Sequence, residues 1–140
     1  MEIIPVLLGG DEFAFSVELV GSVMAVPLWF EAVSDARKYV KGHVLYRGQL
    51  VVVQDLRVRF GYDSSVSGVM IVLDDEQGTC HGFIVDDVLL SMQIRQDKYS
   101  MYEPRLTGTL LDAHIAKWLE LRRVEVCPTG FHLLNVASLC

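Results

Sequence analysis

Short apolar runs, alternating or continuous and separated by glycine-rich or acidic turns, fill most of this chain and predict strands. Phe13, Phe15 and Val17 alternate with Ala14, Ser16 and Glu18, the period of a half-buried strand. Gly9-Gly10-Asp11 just before them predicts a hairpin turn joining Val6-Leu7-Leu8 to Phe13-Ala14-Phe15. Leu50 to Val53 and Val69 to Leu73 are continuous apolar runs, expected to be strands buried on both faces. Asp74-Asp75-Glu76-Gln77-Gly78 reads as a turn, from which Thr79 to Val85 returns, and Val88 to Ile94 continues as a further strand. Helical signal is sparse. Ile115, Trp118 and Leu119 stand at helical spacing after Asp112, a residue type that caps helix N-termini. Val33, Ala36 and Val40 follow Ser34-Asp35 and predict a turn or two of helix. Leu56 to Phe60 reads as one helical turn hanging from a strand end.

The pattern also repeats. Phe15 to Met24 and Phe83 to Met92 both read F-x-V-[D/E]-x-V-x-x-x-M. Gly48, apolar residues and Asp55-Leu56 parallel Gly130, apolar residues and Asn135-Val136. Such a repeat implies two related units, each too small to bury a core well by itself. Many short strands with glycine-rich turns favour small closed barrels over one open sheet. Asp55 and Asp86 stand at strand ends, where a carboxylate is tolerated if it accepts backbone N–H bonds in a turn.

Length and composition narrow the function. A chain of 140 residues forms one compact domain, or two small subdomains sharing an interior, with no need of a metal or disulfide to fold. Hydrophobic content is 51% and mean hydropathy +0.34, yet no run approaches the roughly 18 apolar residues that span a bilayer. The excess goes into a large core or a sticky surface, and a sticky surface suits a protein that works by contact. A net charge of −6 argues against a nucleic-acid binder. The pairs Arg57 with Arg59 and Arg122 with Arg123 read as strand-end solvation. The N-terminus lacks the basic flank of a signal peptide and breaks at Pro5, so a cytoplasmic location is expected. Cys80, Cys127 and Cys140 lack metal-ligand spacing and are expected to be reduced and unpaired. His43, His81, His114 and His132 form no H-E-x-x-H, and no G-x-S-x-G or phosphate-cradling loop occurs. An enzyme is not expected.

The most informative segment is Tyr39 to Gly61, Y-V-K-G-H-V-L-Y-R-G-Q-L-V-V-V-Q-D-L-R-V-R-F-G. An apolar strand enters, an Arg-Gly corner reverses it, and an apolar run ends in Asp-Leu. It resembles the signature of CheW-like domains, the adaptors of bacterial chemosensory arrays. Tyr39-Val40, Gly42, Val44, Arg47-Gly48, Val53, Asp55-Leu56 and Phe60-Gly61 carry the likeness. Phe13 to Val20 and Gly82 to Val88 are similar to the family's two flanking elements, in the right order. Tyr46 departs from the family's usual Asn, no proline precedes Tyr39-Val40, Asn135 replaces an Asp, and Leu106 to Trp118 is unusual.

The resemblance implies a mainly β fold, with two SH3-like five-stranded barrel subdomains around a shared hydrophobic core and few short helices. Residues 1–140 would be a single such domain. Subdomain 1 would run roughly 10–65 and subdomain 2 roughly 66–139, the N-terminal strand completing either barrel. It implies a non-catalytic adaptor without cofactor or metal. Its partners would be the cytoplasmic tip of a chemoreceptor, a methyl-accepting protein, and the regulatory domain of a CheA-type histidine kinase. The receptor's helical hairpin would lie in the groove between subdomains. A variant adaptor for type IV pilus motility or another chemosensory-like pathway is the alternative. A small-molecule-binding β-barrel, with Tyr99, Tyr102 and Trp118 lining a pocket, is a further one.

A helix-in-groove contact needs a row of aliphatic side chains. Val44, Val85, Val88 and Leu90 are candidates, with core packing as the competing role. Arg47 either touches a partner or braces the groove through a nearby carbonyl or carboxylate. Trp29-Phe30, after Pro27, is an interface anchor if exposed and closes the first barrel if buried. Gly42, Gly48, Asp55, Gly61 and Asp86 are expected to be structural.

Overall fold

The fold is given by a computed structural model, in which the described residues are 2–34, 37–74, 78–93, 99–102, 115–121 and 129–134. The strands are β1 (Glu2–Leu8), β2 (Asp11–Ser16), β3 (Val20–Ala25), β4 (Val40–Tyr46), β5 (Gln49–Asp55), β6 (Val69–Asp74) and β7 (Cys80–Val85). They continue as β8 (Asp87–Val88), β9 (Met92–Gln93), β10 (Tyr99–Tyr102), β11 (Ile115–Leu121) and β12 (Thr129–Leu134). Among the described residues the helices are α1 (Leu56–Phe60) and a 3₁₀ turn at Val17–Leu19.

The strands form two sheets. A middle sheet runs β3-β6-β7-β5-β4. An end sheet, built from both ends of the chain, runs β10-β11-β12-β2-β1-β8, with β9 also on β1. The two share one topology, and the register repeats pair by pair. The parallel pairs are Val52↔His81 and Val53↔Gly82 in the middle sheet, and His132↔Phe13 and Leu133↔Ala14 in the end sheet. Val20↔Leu73 and Met24↔Met70 match Val88↔Val6 and Met92↔Ile3. A bulge between Val40 and Gly42 matches one between Ile115 and Lys117. The sequence repeat is therefore a structural duplication.

The duplicated halves exchange hairpins. The hairpin β1–β2 precedes β3–β5 in sequence but pairs with β8, β9 and β12. The hairpin β6–β7 pairs instead with β3 and β5. A division near residue 65 thus separates the two sequence repeats and not the two sheets, and the N-terminal strand belongs to the end sheet. The F-x-V-[D/E]-x-V elements lie where the chain changes sheets, after β2 and after β7. Their phenylalanines, Phe15 and Phe83, stack with centroids 6.0 Å apart. The core around them is shared: Val6, Leu8, Phe13 and Phe15 of the end sheet meet Ile71, Leu73, Phe83 and Val85 of the middle sheet, with Leu56 and Phe60 of α1. Burial of each such side chain stabilises by about 1.5–3 kcal/mol. A second cluster, Val53, Met70, Val72 and Ile84, occupies the other face of the middle sheet.

Four expectations change. Val88 to Ile94 is not one strand, since β8 ends at Val88 and β9 holds Met92–Gln93. Ile115–Leu121 is strand and not helix, because β10 and β12 satisfy its backbone on both sides and that pairing outweighs spacing. Its expected cap, Asp112, lies outside the described residues. Val40 opens β4 rather than ending a helical turn, and Asp35 and Ala36 lie outside the described residues. Leu50 to Val53 is a strand with one exposed face: Val51 and Val53 are buried, whereas Leu50 and Val52 are not. Ile94, Asp75 to Gln77, His114, Arg122-Arg123, Cys127, Asn135-Val136 and Cys140 lie outside the described residues, as does most of Leu106 to Trp118.

Candidate docking surfaces

The end of β5 is organised by a charge network. Asp55, in extended conformation, is the N-cap of α1, and its Oδ1 accepts the Arg57 backbone N–H at 3.0 Å. The Arg57 guanidinium donates to both oxygens of Asp55, Nε to Oδ1 and Nη2 to Oδ2, each at 3.0 Å. Its Nη1 reaches the Val66 carbonyl at 2.8 Å and Asp86 Oδ1 at 3.3 Å. Asp86 Oδ2 accepts the Gly9 N–H of the β1–β2 turn at 2.7 Å. One buried arginine therefore links β5, the segment after α1, the β7–β8 crossover and the exchanged hairpin. Hydrogen bonding to Asp55 raises the Arg57 pKa further, so the guanidinium stays charged. The reading of Arg57 as strand-end solvation is corrected: it is 4% exposed and fully engaged. Gly61 ends α1 in the left-handed conformation.

The Arg-Gly corner is a two-residue hairpin turn with positive φ at both Arg47 (49°) and Gly48 (78°). Arg47 is exposed, and its guanidinium lies over the Tyr46 ring, 5.1 Å from the centroid. Among the described residues it meets no carboxylate, so its role as a brace through one is set aside. Tyr46 points into the second core cluster, with its hydroxyl buried and, among the described residues, unpartnered. Gly42 stands at the bulge, where a Cβ would collide with the Glu31 carbonyl and Phe30 Cβ.

The apolar candidates separate by burial. Val85 is fully buried in the shared core, which removes it from any exposed row. Val88 packs at the margin of that core, and Val44 and Phe30 at the margin of the second cluster. Leu90 is 91% exposed and Trp29 71%, with Leu28 open beside it. Trp29 and Phe30 thus split, one outward and one inward. Sequence reasoning missed Leu45 and Leu50, which are 72% and 63% exposed and lie opposite each other on β4 and β5. The sequence held no signal for this: Leu50 to Val53 is uninterrupted apolar, and only the structure shows exposed positions alternating with the buried Val51 and Val53.

Two of the histidines, His43 and His81, and Cys80 have local partners. His43 Nε2 pairs with Glu31 Oε2 at 2.9 Å, and His81 stacks on Phe83. The Cys80 thiol donates to Asp74 Oδ1 at 2.8 Å. Among the described residues no helix is long and apolar enough to cross a membrane.

The comparisons agree with this architecture. The family model described as CheW-like domain matches residues 2–123. The chain belongs to the CheW-like domain family. A crystal structure of the scaffolding protein TtCheW from Thermoanaerobacter tengcongensis superposes with a TM-score of 0.75 at 19% identity, covering 96% of this chain and 88% of that one. No curated protein matches. Membership of a family of scaffolds supports an adaptor role in chemotaxis, and is consistent with the absence of a catalytic motif in the sequence.

Proposed function

We propose that this CheW-like protein is a non-catalytic adaptor of a bacterial chemosensory array, coupling the cytoplasmic tip of a chemoreceptor to the regulatory domain of a CheA-type histidine kinase. The observation that carries this reading is the match of the family model over most of the chain, joined to exposed aliphatic and aromatic side chains around two sheets whose cores are already filled. Side chains such as Trp29 and Leu90 add nothing to the fold where they stand, and are suited to bury apolar area against a partner. Arg47, Trp29, Leu90, Val88, Val44 and Phe30 remain the proposed partner-binding residues. The shared core and the Arg57 network would keep the two sheets in fixed relation, so two partners could be held at a defined distance.

The test is reconstitution. Receptor cytoplasmic fragments and kinase are mixed with and without the full chain, and kinase autophosphorylation and co-sedimentation are followed. The expected result is a ternary complex whose kinase activity depends on the adaptor, weakened by Arg47→Ala with no loss of folded protein. Failure to recover either partner, or kinase control that is the same without the chain, would end this reading.

A further inference from the structure

We propose that Glu31 and His43 are positioning residues for Trp29: they clasp the strap from Val26 to Glu31 onto β4, so that Leu28 and Trp29 stand out already ordered for an apolar pocket in a protein partner. This rests on the adaptor reading and deepens it, since Trp29 is one of its proposed contacts.

The first observation is the split of side chains along the strap, which follows β3. Val26 and Phe30 pack inward against the second cluster. Leu28 and Trp29, between them, are turned outward, and Leu28 is fully exposed. Two inward residues bracket the outward pair, so the tip is fastened on both sides.

The second observation is the clasp. β4 is an edge of the middle sheet, and the strap occupies that edge at one point. The Glu31 N–H donates to the His43 carbonyl at 3.0 Å, and the His43 N–H donates to the Glu31 carbonyl at 2.9 Å. The side chains meet as well, His43 Nε2 lying 2.9 Å from Glu31 Oε2. Gly42 at the bulge lets the strap approach this closely, since it lies against the Glu31 carbonyl and Phe30 Cβ. An isolated bridge lacks the flanking ladder of a full strand pair. The side-chain pair therefore decides how firmly it stays closed.

Ordering is what the clasp contributes. A loop that becomes fixed only on docking loses freedom at that step, and the loss is subtracted from affinity. Tryptophan has few rotatable bonds of its own, so the backbone carries most of that loss. A strap clasped during folding has already taken it. The tip joins an aliphatic residue to an indole, whose N–H needs an acceptor when buried. The fitting pocket is apolar with one hydrogen-bond acceptor. Residues 1–36 contain six acidic residues and no lysine or arginine, which disfavours an anionic bilayer as the surface met by this tip.

The experiment titrates the full chain separately with receptor cytoplasmic fragment and with the kinase regulatory domain, by calorimetry. Trp29→Ala is expected to weaken one of the two by at least about tenfold. Glu31→Ala and His43→Ala should each weaken that same partner several-fold and leave the other unchanged. In a Trp29→Ala background they should add nothing, as expected of residues that act through Trp29. Glu31→Lys combined with His43→Glu restores opposite charges and should recover most of the affinity. The Glu31 side chain is 57% exposed, so Glu31→Ala should fold even if His43→Ala does not. Hydrogen exchange at the His43 amide should quicken in Glu31→Ala and slow again in the swapped pair. Indifference of both partners to Trp29→Ala or to Glu31→Ala, or losses that add in full to that of Trp29→Ala, overturns the proposal and leaves the adaptor reading standing. Pelleting with phosphatidylserine vesicles that Trp29→Ala prevents would give the tip to a membrane and also overturns it. A wild-type chain that binds neither partner ends the adaptor reading and this proposal with it.

Discussion

The two points where the chain changes sheets are built on the same motif and carry different chemistry. After β7, Asp86 is clamped by Arg57 and by the Gly9 N–H. After β2, the matching acid is Glu18, exposed on a 3₁₀ turn. By the sequence repeat, Asn135 and Ala137 stand where the other half has Asp55 and Arg57. Topology, register and even a bulge survived duplication because one residue of slip would turn a whole strand inside out. The charge network did not, because it needs three particular side chains at once. One crossover is therefore locked by charge, whereas the sequence at the other lacks the residues for that network.

The sharpest way to break that asymmetry is Arg57→Ala. It leaves Asp55 and Asp86 without their cation, and the expected loss is about 3–5 kcal/mol. Glu18→Gln at the matching crossover should cost no more than about 0.5 kcal/mol. Urea unfolding of both variants decides it, and equal small losses would mean that the two crossovers are held alike.

The bulges give a second contrast. Gly42 has φ of 138° against the Glu31 carbonyl, whereas Lys117 holds the matching place in β11. Gly42→Ala should cost about 2 kcal/mol or more, since strain and collision add. A thermal melt of Gly42→Ala that overlays the wild type would show that the bulge tolerates a side chain in both sheets.

The turns differ too. Arg47 occupies the left-handed region at a cost of roughly 1 kcal/mol that glycine avoids. Arg47→Gly should raise stability by about that amount while weakening partner binding. Gly48→Val should lower stability. If Arg47→Gly gains stability and binds partners as well as the wild type, the arginine has no docking role.

Much of this was legible in the chain, for physical reasons that differ between elements. Hairpin β1–β2 was readable because alternation and a Gly-Gly-Asp turn are local signals. The helical turn at Leu56 was readable because an Asp cap and a following glycine bracket it. The duplication was readable from the F-x-V-[D/E]-x-V elements, yet the exchange of hairpins was not, since pairing between distant strands leaves no local trace. Ile115–Leu121 misled because Ile115, Trp118 and Leu119 also fit a helix, and only neighbouring strands decide between the two. Arg57 looked like an ordinary surface base although Asp55 stands two residues before it, because its burial and its contact with Asp86, 29 residues away, leave no local trace.

The smallest effect expected is a pH dependence that belongs to the exchanged hairpin alone. Tyr62 packs edge-on against Phe13, and its hydroxyl donates to Asp11 Oδ2 at 2.7 Å. Burial first, and then the Asp11 carboxylate, push its pKa well above the ordinary phenol value. The neutral phenol is thus the form the fold favours. In the unfolded chain Tyr62 ionises near pH 10. Below that pH both states keep the proton and its contribution is whole. Above it the unfolded state releases the proton and the folded state does not, so stability falls as pH rises. Chemical denaturation at neutral pH and above pH 10 should show a decline in the wild type that is shallower in Tyr62→Phe. Parallel declines in the two proteins would mean that the phenol–carboxylate contact does not hold the β1–β2 turn against α1, leaving Asp86 and Arg57 as the polar link that fastens that hairpin.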